Sequence, residues 1–521
     1  MDGRLSAGSR QCRTTPFRKC RWTAIPAAML LLVLSAVQPV NAADAIKMQE
    51  PFTDTRVYAV TTQVALEGTI TAPGRDGKLA PVKLTGVARF KGSERRLPGT
   101  GRDAEALRSV RYFDEAGASV VTGDFKSQRA LRSTQRLMVA EGRREGIRQF
   151  SPAGPLTYDE LDLLQIPGDS LALLGLLPDR AVEPGETWKP AEWVMQTLTG
   201  LETVEKSKLV CKLVSVTNGQ ASVDLDGEVE GADMGTTSKV TLTGSFLFDL
   251  KQNCITTVEL QQTEKRQPGV LNPQFDITAR VSLTRAPMDK PSKISEADLK
   301  DIPLDANPAN LLLVFESPDW GVRFYHDRSW HTFHQTKDVA ILRMMHNGGI
   351  IAQCNINPIN PKAEPGQHIT EERFKADIQK SLGSSFQQIL QAKVLETTDK
   401  TWLYQVAVAG AIRRPVKVKP EVTPASGEGA KTPAKPPEKA AETPKPAAPA
   451  KGTDKGTDPK AKAETSELGL QEIPYQWIYN VAAAPDGRQV VFTFIIEADV
   501  LETFATQDAS MLGTLEFLPK Q

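Results

Sequence analysis

The chain has 521 residues, of which 40% are hydrophobic and 24% are charged. This length exceeds what one ordinary core needs, so we expect two or three domains. Lys plus Arg and Asp plus Glu both number 63. This balance argues against a protein that binds nucleic acid or an anionic membrane through its overall charge.

Residues 1–43 have the pattern of a secretory signal peptide. A basic stretch precedes the apolar run Ala24–Val37, and the small residues that follow predict cleavage after Ala42 or Ala43. The apolar run is shorter than the roughly 20 residues that a membrane-spanning helix needs, which disfavours an uncleaved anchor. We therefore expect a secreted or periplasmic protein with no transmembrane segment in its mature chain.

Residues 50–286 are predicted to form a β-rich domain. Segments such as Arg56–Ala72 alternate apolar and polar residues, as strands with one buried face do. Asn218 and Gly219 form a hairpin-turn signal between two such segments. A leucine-rich stretch at near-helical spacing, Gly154–Pro178, interrupts them. The prediction is an antiparallel barrel or a strongly bent sheet with a short helical interlude.

A polar stretch with several prolines, residues 287–309, is predicted to link this domain to an α+β domain at residues 310–521. Within the second domain, Thr370 is expected to begin an amphipathic helix that Gly383 ends. A Pro/Ala/Lys-rich insertion at residues 413–467 has too few large apolar side chains to offset its ordering entropy. We expect that insertion to be disordered.

The second domain resembles the PsbP/Mog1/DcrB-like fold. The resemblance lies in the segments FESPDWGVRFYHDRSW, HITEERF, WLYQVAVAG, YNVAAAPDGRQVVFTFIIEAD and FATQDASMLGTLEFL. It implies an antiparallel sheet with flanking helices and a non-enzymatic assembly or stability role, and it carries over no catalytic residue. The first domain is similar to secreted bacterial domains of unknown function marked by GPLT, LLP and VxxGxxW, here Gly154–Thr157, Leu176–Pro178 and Val182–Trp188.

Trp188 follows a tight turn at Pro184 and Gly185. A large ring placed there either covers the end of the β core, with Val182 beneath it, or offers a stacking platform for a sugar. The structural role is favoured because Trp193 is the one aromatic neighbour in sequence.

Carboxylates cluster at the start of the helical interlude. The set is Tyr158, Asp159, Glu160 and Asp162. Paired acids suit general acid/base chemistry, but negative charge in a first helical turn also favours the helix dipole, and Thr157 with Glu160 forms a capping box. The structural role is favoured. Asp224, Asp226 and Glu228 alternate along one strand, as outward-facing residues do.

All five histidines lie in the second domain. They are His326, His331, His334, His346 and His368. Imidazole is a common metal ligand, but these spacings match no known zinc pattern. Surface or loop positions are favoured over a metal site, and we predict no metal or cofactor.

Eight arginines of the first domain form a candidate anion-binding face for a cell-wall polymer or lipid headgroups. They are Arg95, Arg96, Arg129, Arg132, Arg136, Arg143, Arg144 and Arg148. Solubilisation of turns and exposed strands is the favoured alternative. Of the cysteines after the signal peptide, Cys211 and Cys254 either pair or stay buried thiols, as Cys354 does.

These patterns predict a secreted, non-enzymatic envelope protein that serves as a ligand-binding or scaffold module. The first domain has no histidine, so it cannot build a Ser-His or Cys-His nucleophile on its own. No catalytic residues are assigned. The partners left open are an envelope protein, a lipid and an anionic polymer. A periplasmic hydrolase acting on an envelope polymer is the alternative; it would need a clustered acid/base pair where a carrier needs an apolar cavity.

Overall fold

The computed structural model describes residues 45–73, 78–98, 103–144, 146–233, 235–269, 273–291, 293–397, 400–415 and 470–519. They lie in one compact unit, Ala45–Gln521, and are mostly β, in three antiparallel sheets. The predicted signal peptide and most of the predicted disordered insertion lie outside the described residues.

Thirteen strands form the large sheet. They are β1 (Val57–Pro73), β2 (Leu79–Leu97), β3 (Arg108–Thr122), β4 (Phe125–Ala130), β5 (Leu137–Arg143), β6 (Gly146–Phe150), β7 (Thr187–Trp188), β8 (Thr203–Ser207), β9 (Val210–Thr217), β10 (Gln220–Asp233), β11 (Thr236–Asp249), β12 (Cys254–Arg266) and β13 (Phe275–Pro287). Their order is β6-β5-β3-β2-β1-β13-β12-β11-β10-β9-β7, with β4 beside β3 and β8 beside β10. The first long strand therefore pairs with the last.

Three helical segments lie between β6 and β8. They are α1 (Tyr158–Leu164), a 3-10 helix (Ser170–Leu176) and α2 (Glu192–Thr199). The helix α2 contacts β6 at one end of the sheet and β8 near the other, so the sheet bends around it. Among the described strands, β6 and β7 do not pair. Of the two predicted arrangements, the structure shows an open, bent sheet and no barrel.

The remaining elements begin within the predicted linker. The helices are α3 (Glu296–Leu299), α4 (Pro308–Leu311), α5 (Glu371–Leu382), α6 (Leu501–Phe504) and α7 (Gln507–Leu512). Of these, α3 and the start of α4 lie in the linker. A small sheet contains β14 (Leu313–Ser317), β15 (Val322–His326) and β23 (Glu516–Phe517). A seven-stranded sheet contains β16 (Trp330–Gln335), β17 (Ala340–His346), β18 (Gly349–Pro358), β19 (Phe386–Leu395), β20 (Trp402–Pro415), β21 (Leu470–Ala483) and β22 (Gln489–Glu497).

The two regions make direct contact. Leu156, just before α1, bridges to Leu313 at the start of β14, and both side chains are fully buried in one apolar cluster. The predicted linker also packs on the sheet, because Ile294 and Leu299 are buried against Val57. The strand β20 extends to Pro415, so it covers the first residues of the predicted insertion.

Candidate functional site

The inner face of the large sheet is apolar. Residues paired across neighbouring antiparallel strands point to the same face, and the register places Leu260, Val281, Val64 and Ala88 in one row across β12, β13, β1 and β2. The helical interlude covers this face at β9–β12 and buries the main apolar cluster there. The alternate residues, such as Arg280 and Glu67, point outward and form an exposed ion pair.

The connection between α1 and the 3-10 helix crosses the inner face. It comes so close that a Cβ at Gly168 would lie 3.1 Å from Leu260 Cδ1 and 3.7 Å from Val281 Cγ1. Beside the connection, over β1–β3, lies a small cavity of about 40 Å³. Its apolar lining includes Val60, Phe90, Phe113, Leu164 and Ile166.

One end of this cavity is lined by charged side chains. Arg111 donates from Nε to Glu94 Oε1 at 2.9 Å and from Nη1 to Asp169 Oδ2 at 2.7 Å. Glu94 also accepts hydrogen bonds from Ser109 at 2.8 Å and from Ser170 at 2.6 Å. All five side chains are buried, and one arginine thus neutralises part of the charge of two acids.

Glu94 is held ionised in this arrangement. Burial raises its pKa, but the charge of Arg111 and the hydrogen bonds from Ser170 and Ser109 outweigh burial and lower the pKa to about 2. A general acid at neutral pH needs the opposite shift. Glu94 and Asp169 are therefore two clustered carboxylates in a cavity, but Glu94 does not have the protonation behaviour of a catalytic acid.

A second layer of buried charge joins β2 and β13 to the segment before β1. Glu50 accepts hydrogen bonds from Arg96 and from Arg285 and also, at 2.6 Å, from the backbone N–H of Ile255. The three charged side chains are no more than 4% exposed. The segment that carries Glu50 immediately precedes β1, so the first described residues are part of the folded core.

Beyond the connection between α1 and the 3-10 helix, the apolar side chains of the inner face are only half-buried. Seven apolar residues here form what we name the apolar groove: Leu66, Ile70, Val82, Leu84, Val120, Phe275 and Ile277. They lie on β13, β1, β2 and β3, and with strands about 4.8 Å apart they span about 14 Å. Gly68 and Gly86 sit among them by register, so two positions of the groove floor carry no side chain.

Trp188 has a structural role, as favoured from sequence. It pairs with Cys211 through the edge strand β7, is 9% exposed and belongs to the same apolar cluster as Val182. Its Nε1 donates to the Leu176 carbonyl oxygen at 2.9 Å. Its neighbour Trp193 lies on α2, half-buried against the same cluster, so the pair forms no open stacking platform.

The acids at the start of α1 also have structural partners. Both halves of the predicted capping box between Thr157 and Glu160 are present, and Glu160 accepts from Arg132 at 2.7 Å. Asp159 and Asp162 both pair with Arg129. On β10, Asp224, Asp226 and Glu228 point away from the core, as predicted.

The histidines are dispersed. His326 is buried in β15, unlike the expected surface or loop position, and its Nδ1 lies 2.9 Å from the Asp327 carbonyl oxygen. His331 packs edge-on against Tyr158 of α1, with 3.4 Å between Nδ1 and the hydroxyl. His334 and His346 are exposed, and His368 stacks on Trp402. Within the described ranges, no three His, Cys, Asp or Glu side chains are grouped to hold a metal.

The eight arginines singled out from sequence do not form one face. Arg96 lies in the buried layer, Arg95 pairs with Glu296, and Arg144 pairs with Glu105. Arg136 donates to the carbonyl oxygen of Phe113. Two of the eight, Arg143 and Arg148, do converge, on the carboxylate of Glu141.

The three cysteines among the described residues, Cys211, Cys254 and Cys354, are buried free thiols. Burial raises the pKa of Cys211 to about 12 and also raises that of Cys354, so these two are poor nucleophiles. The part of the chain that the structure describes contains no helix long and apolar enough to span a bilayer.

Sequence and structure comparisons assign no family. No family model matches the chain, and no curated protein matches it. Among solved structures, lipovitellin aligns over 47% of this chain and 27% of its own, with 10% identity and a TM-score of 0.28. Kievitone hydratase from Nectria haematococca covers 89% of this chain and 95% of its own, with 7% identity and a TM-score of 0.12. The outer membrane protein OprD from Pseudomonas aeruginosa covers 88% and 95%, with 8% identity and a TM-score of 0.11.

These scores establish neither a shared fold nor a shared function. This chain also spans only about a quarter of the lipovitellin chain. The functional argument therefore depends on the geometry of the cavity, the apolar groove and the charged clusters.

Proposed function

We propose that this protein is an envelope ligand-binding module that holds the aliphatic part of a lipid-like ligand in the apolar groove. The observation that carries the proposal is the continuity of the apolar inner face. It runs from the cavity beside the connection into the groove, where Leu66, Leu84 and Val120 are only half-buried. Removing apolar surface of this kind from water is favourable, at roughly 25 cal/mol per Å².

The same geometry disfavours the alternative hydrolase. Arg111 donates hydrogen bonds to both Glu94 and Asp169. Because the pKa of Glu94 is low, Glu94 is ionised near neutral pH and cannot donate a proton there. A carrier needs no such proton transfer. The charged end of the cavity then acts as a fixed polar boundary against which an apolar ligand ends.

Binding of a fluorescent long-chain fatty acid tests the proposal. Gly86 lies on the groove floor, where a Cβ would meet Val120 and Leu66 at ordinary contact distances, so Gly86→Trp fills the groove. We expect saturable binding to the unaltered protein and binding weaker by about tenfold or more in this variant, a loss of about 1.4 kcal/mol.

The matched control is Ala65→Trp. Ala65 is exposed on the outer face, beside Leu66 on β1, so its substitution adds the same ring without entering the groove. Equal losses in the two variants, or no saturable binding to the unaltered protein, would refute the groove as the binding site.

The envelope location is part of the proposal and has its own test. Ile46 bridges to Val182 and Met48 is fully buried, so cleavage after Ala42 or Ala43 would leave the folded unit intact. N-terminal sequencing of the protein from a periplasmic fraction should begin at Ala43 or Asp44. Recovery of the intact chain from the cytosol would contradict export. The likeness of residues 310–521 to the PsbP/Mog1/DcrB-like fold, and the scaffold role it implies, stay predictions.

A further inference from the structure

A cluster of arginines lies on the outer face of the large sheet, away from the apolar groove. Arg111 points into the cavity from β3, and side chains alternate along a strand, so Arg108 points to the other face. The register places Arg108 beside Glu141 of β5 and Glu141 beside Arg148 of β6. Arg143 lies two residues after Glu141 and on the same face.

Three of these guanidiniums share one carboxylate. Arg143 Nη2 lies 2.8 Å from Glu141 Oε2, Arg148 Nε lies 3.1 Å from the same oxygen, and Arg108 Nε lies 3.4 Å from Oε1. The pKa of Glu141 is raised by burial, but hydrogen bonds from Arg148 and Arg143 outweigh burial and lower it. Glu141 is therefore a fixed anion at neutral pH.

Positive charge is in excess here. Arg108 has one further acid, the exposed Asp305, at 3.0 Å. Arg328, from the loop between β15 and β16, has a pKa lowered to about 10 by burial and by the nearby charge of Arg148. Four arginines thus face two acids among the described residues; Glu145 lies outside them.

Some of the donors have no acceptor. Arg143 Nε and Arg328 Nη2 are buried and lack a hydrogen-bond partner within the described part of the chain, although unsatisfied buried donors are costly. Arg143 and Arg148, together with Gly146 and Ile147, line an open depression of about 290 Å³. Guanidinium groups bind phosphate oxygens with two parallel hydrogen bonds, as they bind carboxylates.

We infer that the depression between Arg143 and Arg148 is an anion-binding site for a phosphate group, either free or at the headgroup of an anionic lipid. The phosphate would bind the two guanidiniums and complete the charge compensation that Glu141 and Asp305 provide in part. This inference does not depend on the apolar groove, because the two sites lie on opposite faces of the sheet.

Equilibrium titration with inorganic phosphate at low ionic strength tests the site. The double variant R143Q/R148Q should bind phosphate about tenfold or more weakly than the unaltered protein. The control R89Q/R280Q also removes two outer-face arginines, each paired with an exposed glutamate, and should bind it as the unaltered protein does. This control keeps the change in net charge equal.

A further variant separates a binding site from a structural ion cluster. Glu141→Gln removes the internal anion, so phosphate should bind it severalfold more tightly; a purely structural cluster would lose stability without this gain. Arg148→Lys keeps the charge but loses the forked geometry, and should bind phosphate more weakly even if the double variant does not fold. No saturable binding, equal losses in both double variants, or no gain in Glu141→Gln would overturn the inference.

Vesicles distinguish the two sources of phosphate. Co-sedimentation with phosphatidylglycerol vesicles, and not with phosphatidylcholine vesicles, that is weakened by R143Q/R148Q supports a lipid headgroup. Saturable binding of free phosphate without vesicle binding supports a soluble anion at the same site.

Discussion

At the scale of single residues, the buried ion pairs are where a substitution should change the free energy of unfolding most. Arg111 is buried between Glu94 and Asp169, and removing one partner of a buried pair leaves an uncompensated charge in a poorly solvated place. We expect Arg111→Met to lower the free energy of unfolding by about 3–5 kcal/mol, measured by urea denaturation.

Arg89→Met is the control for this substitution. Arg89 pairs with Glu115 at 3.5 Å on the surface, where both side chains are about half exposed, so its loss should cost less than about 1 kcal/mol. Similar losses for Arg111→Met and Arg89→Met would show that the buried network contributes little.

Glu94 links stability to pH. Its pKa is lowered from 4.5 to about 2 in the folded protein, so its contribution to stability is complete above pH 4.5 and is lost as the pH falls toward 2. The free energy of unfolding should therefore fall more steeply between pH 4.5 and pH 2 for the unaltered protein than for Glu94→Gln. Parallel pH profiles for the two proteins would contradict this assignment.

At the scale of elements, the connection from α1 to the 3-10 helix depends on a glycine. Gly168 has a φ of +75° and faces Leu260 Cδ1 at 3.1 Å, whereas Gly200, which ends α2, has a φ of +72° and nothing within 4 Å. Gly200→Ala should cost about 1 kcal/mol of backbone strain. Gly168→Ala should cost about 1–3 kcal/mol more, because it also overpacks the core.

Thermal or urea denaturation of both alanine variants measures this difference. Equal losses would mean that the connection is not pressed against the inner face of the sheet. The cavity beside it would then be wider.

Local signals predicted many elements. The Asn218–Gly219 turn, with φ values of 53° and 80°, joins β9 to β10, and α5 ends at Gly383 after beginning at its Thr370 cap. Such signals act within a few residues, so the sequence displays them directly. No capping signal predicts helix α2, because its N-cap position is Ala191, which makes no side-chain cap.

At the scale of the whole molecule, the charged layers could not be predicted, and neither could the choice of a bent open sheet over a barrel. Glu50 meets Arg285 across 235 residues of sequence, and Arg111 meets Asp169 across 58. Pairing of that kind depends on which strands become neighbours, and the same alternating pattern fits a closed barrel and an open sheet equally well. The apolar groove is likewise visible only once β13, β1, β2 and β3 are placed side by side.

The central claim is that the groove holds an aliphatic chain, and intermolecular NOEs between a bound long-chain fatty acid and the methyl groups of the protein test it most directly. The methyl groups of Leu66, Leu84, Val120 and Ile277 should show NOEs to the aliphatic chain, because these residues lie in the groove. The methyl groups of Val87, which is 61% exposed on the outer face of the same sheet, should show none. NOEs of equal strength to Val87, or none to the four groove residues, would contradict the account.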